Sequence, residues 1–278
     1  MTTSASSPSP YLLGADDQER ERLLFQGRLL EDDTLALLDR VPLGPGDRAL
    51  DVGCGPLGIM DALSARVGEH GRVVGLDAEP RMTEMARRTI DERGLRNVSL
   101  LSADAAETGL PRSSFDLVHT RLVLMNVPHP DDVLDEMIAV TKPGGTVAVQ
   151  DVDWLTRVCE PPHPSWDRLV TVIAQLWARN GMDVMLGRRL PGILRQHGLL
   201  DVGVRASTHV FQHTDPYRTL LVDRARLCRS ALVEHGLITD AELDDHIEAL
   251  SQHLADPGTL VVHATLFQAW GSTRPATG

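Results

Sequence analysis

Apolar positions along this chain follow two periods, and the switch from one to the other lays out its architecture. Residues 16–38 carry Leu23, Leu24, Leu30, Leu35 and Leu38 at helical spacing among charged residues, which predicts one or two amphipathic helices. The stretch VPLGPGD (41–47) ends that pattern, because proline removes a backbone donor and glycine favours turns. Short apolar runs at 49–52, 72–77, 98–104, 115–120 and 146–151 then alternate with helix-length segments, among them 81–93 and 131–141. Such alternation requires crossover connections and therefore a mostly parallel sheet.

Beyond 151 the signals change. Trp166, Leu169, Val170, Ile173, Leu176 and Trp177 form a stripe for one buried helix face, and a second helix is expected near 187–198. Strict alternation of Val202, Val204, Ala206, Thr208 and Val210 predicts one strand over 201–212, and 259–267 predicts a last one. Residues 213–257 between them are helical in pattern. There Thr239 and Glu242 have capping-box spacing ahead of Leu243, Ile247, Leu250 and Leu254. A long helical insert joining two neighbouring strands is expected to be a lid over substrate. The expected division is a tail (1–10), an N-terminal helical cap (11–40), a core (41–212 and 258–271), the insert (213–257) and a second tail (272–278).

Composition narrows the classes. No run approaches the roughly 18 apolar residues of a membrane span, and MTTSASSPSP at the start lacks the features of a secretory signal. Cys54, Cys159 and Cys228 lie far apart, which argues against a disulfide framework or a zinc knuckle and for a reducing cytoplasm. The formal net charge of −12 opposes a nucleic-acid partner. The histidines show no metal-ligand spacing, so no metal is expected.

DVGCGPLG (51–58) sets Gly53, Gly55 and Gly58 in G-x-G-x-x-G spacing after a strand, and Asp77 ends the next strand, where a carboxylate can accept from ribose hydroxyls. An adenosine-containing ligand follows. Asp51 discriminates among such ligands: its charge would oppose a pyrophosphate at the helix N-terminus and suits a ligand carrying an ammonium and a sulfonium. S-adenosylmethionine has both.

These residues resemble the class I S-adenosylmethionine-dependent methyltransferases, in particular the ubiquinone and menaquinone biosynthesis type and small-molecule methyltransferases of bacterial natural-product pathways. DVGCG, GLDAEPRM, SADA, FDLVHTRLVLMNVP and TKPGG resemble that family's five ordered motifs. The resemblance implies a Rossmann-like α/β fold with a seven-stranded, mostly parallel sheet and helices on both faces. It implies Gly53 and Gly55 under the methionine part, Asp77 and Ala78 at the ribose, and Met82, Asp104 and Ala105 around adenine. His119 to Arg121, Thr120 included, would face the methionine amine and the transferring methyl, and Gln26 would close over the methionine carboxylate. Gln150-Asp151 departs from the family's usual acidic pair after the fifth strand.

Methyl transfer from a sulfonium needs alignment and exclusion of water more than a catalytic group. Candidates for a general base are His163, Asp151 and Asp153, which follow the fifth strand. The expected partner is a small-molecule acceptor, methylated at an oxygen, nitrogen or carbon atom, with pairing of two copies left open. Two other readings stay open: an NAD(P)-dependent oxidoreductase, and a binding protein or cyclisation catalyst that retains the cofactor.

Overall fold

The computed structural model describes residues 17–276. Two helices come first, α1 (Asp17–Leu29) and α2 (Glu31–Leu38), and then strands and helices alternate. β1 (Arg48–Val52), α3 (Met60–Val67), β2 (Arg72–Asp77), α4 (Pro80–Arg93) and β3 (Val98–Ser102) build one wing of the sheet. β4 (Phe115–Arg121), α5 (Pro130–Val140) and β5 (Thr141–Asp153) begin the other. The short β6 (Val158–Glu160) precedes α6 (Pro164–Arg179) and α7 (Leu186–Gln196). β7 (Leu200–Ser207) and β8 (Val210–Phe211) lead into α8 (Leu220–Leu227), α9 (Arg229–Glu234) and α10 (Asp240–Ala255), and β9 (Leu260–Val262) and β10 (Thr265–Ser272) close the chain.

The main sheet has seven strands in the order β3, β2, β1, β4, β5, β10, β7. β1 to β5 pair in parallel, and β10 runs antiparallel to both β5 and β7. Alternation along β1 sends Ala49 into the core with α2, α3 and α4, and Leu50 and Val52 into the core with α5 and α7. Helices therefore cover both faces, as the apolar runs require.

One expectation is corrected here. The alternating segment 201–212 is two strands, because β8 leaves the main sheet to pair with β9 in a separate antiparallel sheet ordered β6, β9, β8. The segment 259–267 likewise divides at His263 and Ala264 into β9 and β10. Alternation continues through both breaks, since every sheet has the same period of two. The partner changes while the pattern does not.

A second correction concerns the insert. Its neighbours β8 and β9 do pair, but Leu243, Ile247, Leu250 and Leu254 on α10 share a core with α6 and α8. That core gathers residues between 154 and 184 with others between 211 and 261, so α6 belongs with the insert rather than with the sheet. We call these two segments the cap. Phe25 of α1 ties the N-terminal helices to it, stacking on Tyr217 with ring centroids 4.1 Å apart.

Candidate functional site

A cavity of about 1210 Å³ opens at the C-terminal ends of β1, β2, β4 and β5, beneath the cap. Its first end is the turn after β1. The Gly53 and Cys54 amides both donate to the Leu76 carbonyl, at 2.7 and 2.9 Å, which folds the turn tightly against β2. Gly53 and Gly58 sit at φ of 69° and 57°. A Cβ on Gly53 would lie 2.3 Å from Val123 Cγ2, and one on Gly58 would lie 2.1 Å from Asp51 Oδ2. Glycine is thus needed at both for space as well as for conformation. Asp77 braces the turn, with Oδ2 accepting from the Gly55 amide at 2.8 Å and Oδ1 from the Glu79 amide at 3.0 Å. Burial pushes its carboxyl above the usual range, against the pull of those amides.

A chain of buried polar groups runs beneath this end, across the sheet. Asp51 Oδ2 accepts from the Ile59 amide at 3.1 Å, and Oδ1 lies 2.8 Å from His119 Nδ1. His119 Nε2 lies 2.8 Å from Gln150 Nε2, and Gln150 Oε1 accepts from Gln268 Nε2 at 2.6 Å. Gln268 Nε2 also donates to the Asp33 carbonyl at 2.7 Å. A backbone carbonyl can only accept, and this orients every member: Gln268 donates to Gln150, Gln150 donates to His119, and His119 carries its proton on Nδ1 and donates to Asp51. Beyond Gln268, Arg205 donates to Asp33 Oδ1 at 2.7 Å and His209 reaches Oδ2 at 2.8 Å. Although burial raises the Asp33 carboxyl, hydrogen bonds from His209 and Arg205 hold it far below the usual range. The departure at Gln150 therefore has a local reason: an amide can donate to one neighbour and accept from the next, and a carboxylate cannot.

The second end of the cavity is lined by side chains of the cap. Trp154 and Trp177 stack with centroids 6.4 Å apart, and their Nε1 groups donate to the Val170 carbonyl and to Asn126 Oδ1 at 3.2 and 2.8 Å. Tyr217 brings a buried hydroxyl that has no hydrogen-bond partner, on a ring stacked with Phe25 and, at 5.4 Å, with Phe211. Met182, Val184, Leu220 and Leu266 add apolar wall, and Arg157, Arg224 and His263 add nitrogen. Burial and the neighbouring Arg157 push His263 well below the ordinary histidine range, so its ring is neutral.

The sequence-predicted residues divide cleanly. Gln26, Asp51, Gly53, Gly55 and Asp77 line the cavity at its first end, and so do Ala78, Met82, Asp104, Ala105 and Arg121. Asp104 Oδ1 accepts from the Ala106 amide at 2.8 Å. Arg121 donates to Thr34 Oγ1 at 2.9 Å and to the Gly58 carbonyl at 3.2 Å, and burial lowers its pKa from the ordinary arginine value. Thr120 and His119 do not line the cavity; both are fully buried, with the Thr120 hydroxyl spent on the Val52 carbonyl.

None of the three base candidates lines it either. Asp151 is buried under the floor, accepting from the Met125 amide at 3.1 Å. Asp153 caps the turn that follows β5 and pairs with Arg188. His163 caps α6, accepting from the Ser165 amide, and stacks on His253. Sequence reasoning missed Arg157, Tyr217, Arg224 and His263, which are far apart in the chain. The one local signal was Trp154 followed three residues later by Arg157, a spacing that stacks the two side chains across a single turn.

Among the described residues no cluster of three His, Cys, Asp or Glu side chains is placed to hold a metal ion, and no helix is long and apolar enough to cross a membrane. The glycine turn, the strand-end acids and the sheet order define a Rossmann-like fold of the class I methyltransferase type. Residues 43–183 match the methyltransferase-domain family, and the chain belongs to it, as a member of the S-adenosylmethionine-dependent kind. It is 32% identical over 177 residues to the "uncharacterized 37.1 kDa protein" of transposon TN4556 from Streptomyces fradiae, covering 63% of this chain and 50% of that one. It is 40% identical over 109 residues to demethylmenaquinone methyltransferase of Geobacillus stearothermophilus, covering 39% and 47%. The chain thus spans about half the length of these curated relatives. The YcgJ protein of Bacillus subtilis shares the fold, with a TM-score of 0.58 at 18% identity over 87% of this chain and 98% of that one.

Proposed function

We propose that this chain transfers a methyl group from S-adenosylmethionine to a small molecule held under the cap. The observation that carries this reading is one continuous cavity, with a glycine turn and strand-end acids at one end and an aromatic, apolar chamber at the other. The first end fits the cofactor. Asp77 would accept from the ribose hydroxyls, Asp104 and the Ala105 amide would take the adenine edge, and Met82 would pack on its face. Arg121, buried and, among the described residues, hydrogen-bonded to the neutral oxygens of Thr34 and Gly58, is a cation suited to the methionine carboxylate. Asp51, held by His119, would face the ammonium.

When bound, S-adenosylmethionine supplies an electrophilic methyl on a sulfonium that leaves as a neutral thioether. The protein's part is to align the acceptor and keep water out. Trp154, Trp177 and Tyr217 wall the chamber for that purpose. The neutral His263 offers the chamber an imidazole that carries no charge.

Two ligands test the reading. S-adenosylmethionine and S-adenosylhomocysteine should each raise the melting temperature, and chelator should leave both shifts intact, because ligand that binds only the folded state stabilises it by mass action. A shift with NADH and none with either sulfur ligand would overturn it.

A further inference from the structure

Tyr217 brings to the cavity a hydroxyl for which the fold itself has no use. The residue lies in the short turn ahead of α8 and is only 6% exposed. Its ring stacks on Phe25 and on Phe211, with centroids 4.1 and 5.4 Å away, and these contacts fix its direction. The hydroxyl is buried and, among the described residues, makes no hydrogen bond. A buried hydroxyl without a partner is a cost that a ligand can remove.

The neighbours of the ring indicate which ligand. Within about one turn, α1 touches three different walls. Leu23 lies beside the glycine turn, where a Cβ on Gly55 would be 4.0 Å from its Cδ1. Phe25 carries Tyr217, and a Cβ on Gly27 would be 3.7 Å from Arg121 Nη2. Gln26, between these two, lines the cavity. A residue of the cap is thus brought up to the glycine turn and to Arg121. The charges agree with this placement: Arg121 and Tyr217 act on one another electrostatically, and Arg28 and Arg22 of α1 add to the same positive field. Burial outweighs that field and pushes the Tyr217 hydroxyl above its ordinary range, so it keeps its proton and can donate. A donor set among guanidinia is best completed by an anionic acceptor.

We propose that the Tyr217 hydroxyl donates to the carboxylate of the methionine part of S-adenosylmethionine, beside Arg121, so that the cap itself closes on the cofactor. The proposal rests on the reading of the glycine end as the cofactor site. The Tyr217 ring still walls the acceptor chamber, and its hydroxyl marks the seam where the two ends of the cavity meet. Bound cofactor thereby bridges the sheet, through Arg121, and the cap, through Tyr217.

Calorimetric titration of the full chain with S-adenosylhomocysteine and with its decarboxylated form, which keeps the adenosine, the thioether and the ammonium, tests this directly. Tyr217→Phe keeps the ring and removes only the hydroxyl. It should weaken S-adenosylhomocysteine binding roughly ten- to hundredfold, as expected of a hydrogen bond to a charged group, and leave the decarboxylated form within about threefold of wild type. Without ligand, the melting temperature of the variant should match or exceed that of the wild type, because the lost hydroxyl bonds nothing in the folded chain. In the wild type, saturating S-adenosylhomocysteine should slow hydrogen exchange over residues 216–227 and the decarboxylated form should not, which carries the test without any variant. Equal losses of both ligands in Tyr217→Phe, no loss of either, or a lower melting temperature without ligand would overturn the contact and leave methyl transfer standing. Failure of both ligands to bind the wild type would overturn the cofactor reading itself.

Discussion

The glycine end and the capped end of the cavity are made of different material. At the glycine end the ligand-facing groups come from residues 51–121 together with Gln26, and many are backbone amides or short acids fixed by strand ends. At the capped end they are long side chains from positions as distant as Trp154, Tyr217 and His263, with a core of their own. A backbone turn held by its neighbours tolerates little change, because a Cβ at Gly53 or Gly58 would strike Val123 or Asp51. A wall of side chains can be altered one residue at a time. On the proposed function, the first end would fix the cofactor and the second would be free to fix an acceptor.

Trp177→Ala gives the largest effect that bears on this division. Its ring is buried, stacked on Trp154 and hydrogen-bonded to Asn126, so its loss should cost about 3–5 kcal/mol. The cost should fall on the cap. Native-state hydrogen exchange should show faster exchange in α6 and α8, with β1 and β4 unchanged. Equal loss of protection in β1 and β4 would mean that the two ends are one cooperative unit.

Gly58→Ala attacks the other end. The left-handed φ and the 2.1 Å approach to Asp51 Oδ2 together predict a cost of about 2–4 kcal/mol. Urea unfolding measures it, and calorimetry should find S-adenosylhomocysteine binding lost, because Asp51 and its hold on the Ile59 amide must move. Wild-type affinity in this variant would place the cofactor elsewhere.

A pH-dependent effect concerns Asp151, which lies beneath the cavity. Burial pushes its carboxyl up to about 8, although amides such as that of Met125 pull it down. The folded chain thus holds a proton that the unfolded chain releases in the ordinary carboxylate range, so this group makes stability fall as pH rises from that range to about 8. Asp151→Asn removes the titration. The melting temperature of the variant minus that of the wild type should increase with pH through this window and level off above it. A difference that stays constant would show that Asp151 is ionised throughout.

The same division explains what could be read without a structure. The glycine end was legible because its residues follow one another in the chain: the turn, the next strand and its acid appear in order, and spacing alone places Gly53 with Asp77. Arg157, Arg224 and His263 meet only through β6, α8 and β9, and no local spacing records that meeting. Residues 201–212 misled for a related reason, since Val210 looks the same whether its strand partner is β10 or β9. His119 was placed correctly at the end of β4 and wrongly at the ligand, because the partner that turns it under the floor, Gln150, lies on the next strand.

We assign the cofactor to one end of the cavity and not to the other. Calorimetric titration of S-adenosylhomocysteine into Asp77→Ala and Leu220→Ala tests it. Asp77 braces the turn and lines the cavity where the proposal puts the ribose, so Asp77→Ala should weaken binding roughly ten- to hundredfold. Leu220 lines only the capped end, and Leu220→Ala should leave the dissociation constant within about threefold of wild type. Comparable losses in both variants, or no loss in Asp77→Ala, would contradict the division.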